Sequence, residues 1–320
     1  MQARSAYLNW LGGQLETREA RRTAAPGHFG PDLVIGYATG YGAAELAPFV
    51  RSLRAWFDGR VALYVDAWRP GVEAFLDLHR IDRLEPPCEP RSWRPHVAVQ
   101  RFGAYLSGLS CYPDARHVLM SDVRDVVFQG PPLTEPVGEL EFFPEHGGDR
   151  LGADVKNLRW LERLFSQKIA RQLADRPCLC AGTIIGRRPQ IERLCRILLF
   201  LSAIPRSGVG GAFGADQAAF NLAAYLGLCE GAVQPNFGRV ATVQRTPVGD
   251  IAWDGEQVRN PDGSVSPVLH KYDRHPGVAA ALMTRWAPDF PGGHPARKID
   301  LGRFVQHTSQ GVAKRLPEFR

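Results

Sequence analysis

Lysine is nearly missing from this chain of 320 residues. The only lysines are Lys156, Lys168, Lys271, Lys298 and Lys314, so arginine carries almost all of the positive charge. Long apolar runs are missing too: none approaches the ~20 residues needed to cross a bilayer. Met1 to Gly30 has scattered charges and no apolar core bounded by a cleavage site, so no secretory leader is expected. The setting expected from this is cytoplasmic, at most peripheral to a membrane. Six cysteines (Cys88, Cys111, Cys178, Cys180, Cys195, Cys229) are too few for a disulfide scaffold in a chain this long. Cys178 and Cys180 have the wrong spacing for a zinc knuckle and no second pair to complete four ligands, which leaves buried reduced thiols as the better reading. A Gly-x-Gly-x-x-Gly turn and a Gly-Lys-Ser/Thr loop are both absent, so neither the dinucleotide fingerprint nor the P-loop applies. Basic runs interleaved with aromatics are also lacking, and nucleic acid is therefore not the expected partner.

What remains is a chain with 44% hydrophobic residues, enough for the core of one large domain or two small ones. Its formal charge of +6 and pI of about 9.1 suit an anionic partner such as a nucleotide-sugar, nucleic acid or an acidic membrane surface. Residues 1–30 read as a helical or loosely ordered arm with an apolar stripe at Leu8, Trp10, Leu11 and Leu15, broken by Ala24-Ala25-Pro26-Gly27. From Asp32 the pattern becomes strand–loop–helix–strand. Leu33 to Ala38 is a buried strand, and Thr39-Gly40-Tyr41-Gly42 is a loop of little bulk. Leu46, Phe49, Val50, Leu53, Trp56 and Phe57 recur at helical spacing, and Arg60 to Asp66 is the next strand. That order is the signature of a parallel α/β sheet.

Further on, Val97 to Leu109 reads as a helix burying Phe102, Leu106 and Leu109, with Gln100 and Arg101 free to meet a ligand. Glu139 to Phe143 is a plausible strand, Val155 to Leu173 has helical periodicity, and Thr183 to Gly186 is a short strand. Gln190 to Leu201 is an apolar helix, and another starts near Asp216. Gly208 to Gly214 reads as a mobile glycine-rich loop, and two turns between Ile251 and Leu269 suggest β-hairpin structure. After Pro276 the chain looks proline-rich and irregular.

The chemistry-bearing stretch is Val118-Leu119-Met120-Ser121-Asp122-Val123-Arg124-Asp125-Val126-Val127-Phe128. An apolar strand there delivers two carboxylates to its carboxyl end, where open α/β sheets bind ligands. Paired carboxylates suit Mg²⁺ or Mn²⁺. The competing reading is that Asp122 caps a turn and Asp125 pairs with an arginine.

This segment resembles the metal-binding strand end of GT-A-fold glycosyltransferases, which carry an Asp-x-Asp-type motif followed by an apolar run. Three later segments resemble the same superfamily in the same order: Cys180-Ala181-Gly182-Thr183-Ile184-Ile185-Gly186, Gly214-Ala215-Asp216-Gln217-Ala218-Ala219-Phe220-Asn221, and Val268-Leu269-His270-Lys271-Tyr272-Asp273-Arg274-His275-Pro276. The carboxylates here are spaced Asp-x-x-Asp, which leaves open which one binds the metal directly. The resemblance implies one GT-A-type, Rossmann-like mixed sheet flanked by helices over residues 31–276, with a C-terminal segment at 277–320. It also implies transfer of a sugar from a UDP- or GDP-sugar donor to a saccharide or other hydroxyl acceptor, assisted by Mn²⁺ or Mg²⁺.

On that basis Asp122, Asp125 and His270 are the metal ligands, with His275 competing for the histidine's role. Asp216 and Gln217 contact the transferred sugar or the acceptor. Asp216 is a candidate general base, Glu145 is its rival, and a plain helix N-cap is the bland alternative for Asp216. Ala38, Thr39, Tyr41 and Asp66 fall where a nucleotide base and ribose are held; Arg101 is available to the ligand, and Lys271 and Arg274 could contact the diphosphate, the alternative for them being a solvated loop. Ala181 and Gly182 form a small pair against which a sugar can rest. Trp68, Trp160 and Trp253 are equal candidates for stacking on an acceptor. The rival functions are a sugar nucleotidyltransferase and a non-catalytic binding protein of the same fold.

Overall fold

Alternating side chains on continuous apolar strands need two covered faces, and the architecture supplies both. The structure, a computed structural model, describes residues 2–16, 19–65, 71–85, 95–203 and 213–290. The first half runs α1 (Gln2–Leu15), β1 (Arg22–Thr23), β2 (Gly30–Tyr37), α2 (Ala43–Arg54), β3 (Gly59–Tyr64), α3 (Val72–Leu78), β4 (Asp82–Leu84), α4 (Val97–Leu109), β5 (His117–Ser121), β6 (Val126–Phe128) and β7 (Leu140–Pro144). Next come α5 (Val155–Leu164), α6 (Gln167–Leu173), β8 (Leu179–Arg187), α7 (Arg188–Ala203), α8 (Ala215–Tyr225) and β9 (Ala232–Val233). The chain continues with β10 (Val240–Thr242), β11 (Ala252–Trp253), β12 (Val258–Arg259), β13 (Val268–His270) and α9 (Pro276–Trp286).

The large sheet has the order β1-β4-β3-β2-β5-β8-β7-β9. Strands β4, β3, β2 and β5 are parallel, while β8 runs antiparallel to both β5 and β7, so this is a mixed α/β sheet flanked by helices. Leu33, Ile35, Val118, Met120 and Ile184 point to one layer, which includes α1, α4, α7 and α8. Val34, Leu119 and Ile185 point to the other, with α2, α3 and part of α9. A small sheet, β10-β13-β6, packs on its own cluster beyond the second layer.

Several elements depart from the sequence pattern. The arm is a helix that inserts Tyr7, Trp10 and Leu11 into the core, whereas Leu8 is left exposed. Helix α2 stops at Arg54, so Trp56 does not continue its buried stripe and is exposed. The helical pattern over 155–173 is two helices, because Ser166 accepts from the Ile169 N–H and starts a new N-terminus. The strand expected at 183–186 is nine residues long, since β8 is buried along almost its whole length. Pro276 does not begin an irregular tail. It occupies the first position of α9, where proline is favoured, and Val278, Leu282 and Met283 form the buried stripe of that helix. Arg51 then holds the end of α9 against α2 through Trp286 O (3.0 Å) and the Asp289 carboxylate (2.5 and 2.7 Å).

No helix among the described residues is long and apolar enough to cross a membrane. The described cysteines, Cys111, Cys178, Cys180, Cys195 and Cys229, are all free thiols.

Candidate functional site

Strand β5 is buried at every position, so the chain must leave the core at its carboxyl end. Asp122 is the first residue out, and its N–H donates to Gly182 O at 2.6 Å. The chain then turns into β6, which pairs antiparallel with β13 in the register His270↔Val126. That register sets His270 next to Asp125, and the Lys271 N–H donates to Asp125 O at 2.7 Å. The result is a cluster in which the donor atoms of Asp122, Asp125 and His270 all lie within 4.8 Å of one another.

His270 is fully buried. Its Nε2 lies 3.7 Å from Asp122 Oδ2 and 3.7 Å from Asp125 Oδ1, with no hydrogen-bond partner. Its Nδ1 lies 3.8 Å from Cys180 Sγ. An orphaned buried ring nitrogen aimed at two carboxylate oxygens costs about 1–3 kcal/mol, which a cation among the three groups would remove. The residues present therefore fit a hard-to-borderline divalent ion.

Charge around the two aspartates is uneven. Burial alone would raise the Asp122 pKa, but Arg101 and His270 overcome it and hold this carboxylate well below its ordinary range. Asp125 is pushed up instead, by burial first and then by the charges of Asp122 and Asp273, which His270 only partly offsets. Arg101, on α4, does not wait for a ligand as its position on the helix suggests. Its guanidinium is ion-paired to Asp122 Oδ1, donates to Ala181 O at 3.0 Å, and reaches Asp216 Oδ2 at 2.9 Å. It is a clamp between two carboxylates.

Asp216 is not the N-cap of α8. Gly214, at φ 88°, takes that position, and Asp216 sits inside the first turn with its carboxylate turned to Arg101. Burial outweighs that arginine and raises the Asp216 pKa. Gln217 donates through Nε2 to Asn157 Oδ1 at 2.7 Å. Glu145 is ion-paired with Lys271, which overcomes the effect of burial and lowers the Glu145 pKa. Lys271 itself has a left-handed backbone (φ 62°, ψ 32°), a conformation costing roughly 1–2 kcal/mol for a residue with a Cβ. Arg274 is half exposed and pairs with Asp273 at 3.6 Å.

Asp122, Asp125, Arg101, Glu145, Asp216, Gln217, Lys271 and Arg274 line a cleft of about 1410 Å³, while His270 is buried and not on its surface. Thr39, Gly40 and Tyr41 form one wall, with Glu45 held at the start of α2 by the Gly42 N–H (3.0 Å). Ala38 does not reach the cleft. It is fully buried, and its N–H completes the sheet by donating to Tyr64 O at 2.8 Å. Asp66 and Trp68 lie outside the described residues, as does most of the 208–214 loop. Of the three tryptophans, Trp160 is on the cleft wall, edge-to-face with Phe213 at 5.4 Å, whereas Trp253 packs against Arg285 elsewhere.

Gly182 lines the cleft, and its lack of a side chain also serves the cluster. A Cβ there would fall 2.5 Å from Asp122 Oδ2 and 2.5 Å from His270 Cε1. Its missing side chain makes room for the carboxylate and the imidazole, before any sugar is considered. His275 is not at the cluster; its Nε2 is 2.7 Å from Val243 O.

Sequence reasoning missed Lys156, Asn157, Gln244 and Arg245, which also line the cleft. They sit on a helix start and a loop with no motif, so only proximity reveals them. No protein-family model matches this chain, and no curated protein matches it.

Proposed function

We propose that the chain is a divalent-metal-assisted glycosyltransferase of the GT-A type, moving a sugar from a nucleotide-diphosphate donor to an acceptor hydroxyl. The observation that carries this reading is the convergence of Asp122, Asp125 and the unpartnered Nε2 of His270 at a strand end, where the two aspartates line a large cleft and His270 is fully buried beside them. The cleft opens beside the carboxyl end of β5, where ligands of open α/β sheets are held. Its volume of about 1410 Å³ exceeds the ~300–1,000 Å³ of a common small-molecule pocket, leaving room for donor and acceptor together.

Asp122, Asp125 and His270 would hold the cation, and an imidazole among oxygens favours Mn²⁺ over Mg²⁺. When bound, such an ion supplies Lewis-acid neutralisation of a leaving diphosphate. The remaining work falls to the chain itself. Arg101 fixes the Asp122 carboxylate so that Oδ2 alone faces His270. Arg274 puts a half-exposed guanidinium at the cleft wall, suited to a diphosphate. Thr39 and Tyr41 form the wall against which a base would lie. Trp160 offers an aromatic face to an acceptor sugar, with Gln217 and Asn157 beside it. Asp216 is a better general base than Glu145. A base works best with its pKa near the operating pH, and burial raises Asp216 while Lys271 lowers Glu145.

Titration calorimetry of UDP and GDP, with and without Mn²⁺, tests the reading. Asp122→Ala, Asp125→Ala and His270→Ala should each weaken Mn²⁺-dependent nucleotide binding by at least the ~10–100-fold seen when metal shells are disturbed. His275→Ala should leave that affinity near wild type, since its ring is bonded to Val243 O. Nucleotide affinity that ignores Mn²⁺ in the wild type would refute the assignment. Donor hydrolysis in a panel of nucleotide-sugars distinguishes an enzyme from a binding module, which would bind without turnover.

A further inference from the structure

At the wall of the cleft, where Asp154 and Arg245 line it, lies a second group of ligating side chains that the glycosyl-transfer reading does not use. His146 follows β7, Asp154 caps α5, and Cys178 immediately precedes β8. All three are buried, at 2%, 2% and 0% exposure, and their donor atoms lie within 4.8 Å of one another. Neither ring nitrogen of His146 has a hydrogen-bond partner. Each of them nevertheless faces a carboxylate: Nδ1 is 3.4 Å from Asp149 Oδ2, and Nε2 is 3.5 Å from Asp154 Oδ2. Arg245 bridges the same two carboxylates at 2.8 and 2.9 Å.

We propose that His146, Asp154 and Cys178 form a second divalent-cation site of the zinc class, separate from the Asp122–Asp125–His270 cluster. The donor set decides the class. Mg²⁺ and Ca²⁺ take oxygen ligands, whereas one imidazole, one carboxylate and one thiolate match borderline-soft Zn²⁺, which is four-coordinate and leaves one position for water. Asp154 has capacity to spare. Its Oδ1 accepts the Lys156 and Asn157 N–H groups (3.0 and 3.1 Å), while Oδ2 accepts Arg245 and keeps a second lone pair. Asp149 at Nδ1 is the outer carboxylate that commonly orients a zinc-binding histidine and fixes its tautomer.

The charges also balance. Asp149, Asp154 and the Cys178 thiolate contribute three negative charges, against one from Arg245 and two from the ion. Burial and then the charges of Glu145 and Asp154 push the Cys178 thiol up, and a metal–thiolate bond requires its proton to leave. Binding therefore forms a metal–sulfur bond and releases the thiol proton to the buffer. Gln217 Nε2, 3.9 Å from Cys178 Sγ, is placed to donate to the thiolate.

The test uses the full chain, stripped with a chelator and loaded with Zn²⁺ or Co²⁺ alone. Wild type should retain Zn²⁺ through gel filtration and show a thiolate-to-cobalt charge-transfer band with Co²⁺. Asp122→Asn/Asp125→Asn protein should keep that band, which separates this site from the strand-end cluster. Cys178→Ser should abolish the band. Cys180→Ser, the control for the thiol beside His270, should leave it intact. Asp149→Asn should weaken Zn²⁺ binding ~10–100-fold. A wild type without the band, a band that survives Cys178→Ser, or one that disappears with Cys180→Ser would overturn the proposal. The Cys178 outcomes do not bear on the donor site, which does not involve Cys178, whereas loss of the band in Cys180→Ser would place the cobalt beside His270 instead.

Discussion

Replacing Gly182 with alanine tests the geometry of the strand-end cluster with one methyl group. The backbone there is outside the left-handed region, so alanine is tolerated conformationally and the effect is steric. The added carbon would meet Asp122 Oδ2 and His270 Cε1 at 2.5 Å, and ordinary contact begins at 3.4 Å. The neighbours must therefore give by the difference, about 0.9 Å if one of them takes all of it. Neither is free to do so: Asp122 is held by Arg101, and His270 is fully buried on β13. Overpacking of this kind costs about 1–3 kcal/mol in global stability. Its effect on a cation should be sharper, because ligand distances are tolerated only within about 0.2 Å. Mn²⁺-dependent UDP or GDP affinity should fall at least ~10–100-fold, equivalent to about 1.4–2.8 kcal/mol. Urea denaturation measures the first quantity and calorimetry the second. Gly130→Ala is the control, since its Cβ would make an ordinary 3.5 Å contact with Pro267. A Gly182→Ala protein with wild-type stability and wild-type metal-dependent affinity would refute the steric reasoning.

Two further tests concern the scaffold. Asn221 accepts from the Leu179 N–H and donates to Leu179 O, both at 2.9 Å, joining α8 to the start of β8. Asn221→Leu leaves two buried backbone groups unpaired, at about 1–3 kcal/mol each, and a loss below 1 kcal/mol in urea denaturation would count against that role. Asp254 is lowered to about 2 by the Gln257 and Glu256 N–H groups and then by Arg259, in the turn between β11 and β12. Because the folded pKa is depressed, its contribution is present above the unfolded value of about 3.9 and is lost as pH falls through about 2. The stability gap between wild type and Asp254→Asn should therefore be open at neutral pH and close on acidification. A carboxyl titration midpoint near 3.9 in the folded protein would be inconsistent with this.

Apolar runs and helical spacing are local properties, and they were enough to locate β2, α2, β5, α4 and the carboxylates after β5. A chain buried on both faces through Val118 to Met120 must emerge at Asp122, whatever surrounds it. His270 was legible for the same reason, at the end of the apolar pair Val268-Leu269. The Ser166 break and α9 were misread because a two-turn helix and a proline-led helix look like a longer helix and a loop when their packing partners are unknown.

Convergence was not legible. Which strand lies beside which depends on packing between segments far apart in the chain, and that order decides what each side chain meets. Arg101 became a clamp because β5 and α8 both bring an aspartate to it. Ala38 lost its expected place because the sheet needed its backbone and the core its methyl group. Gly182 matters through a side chain it lacks, so its role depends on what folding presses against it. His146, Asp154 and Cys178 come from a strand end, a helix cap and the start of another strand, and no spacing rule joins them. The sequence by itself determined which residues leave the core at a strand end; only the tertiary structure decided which of them meet.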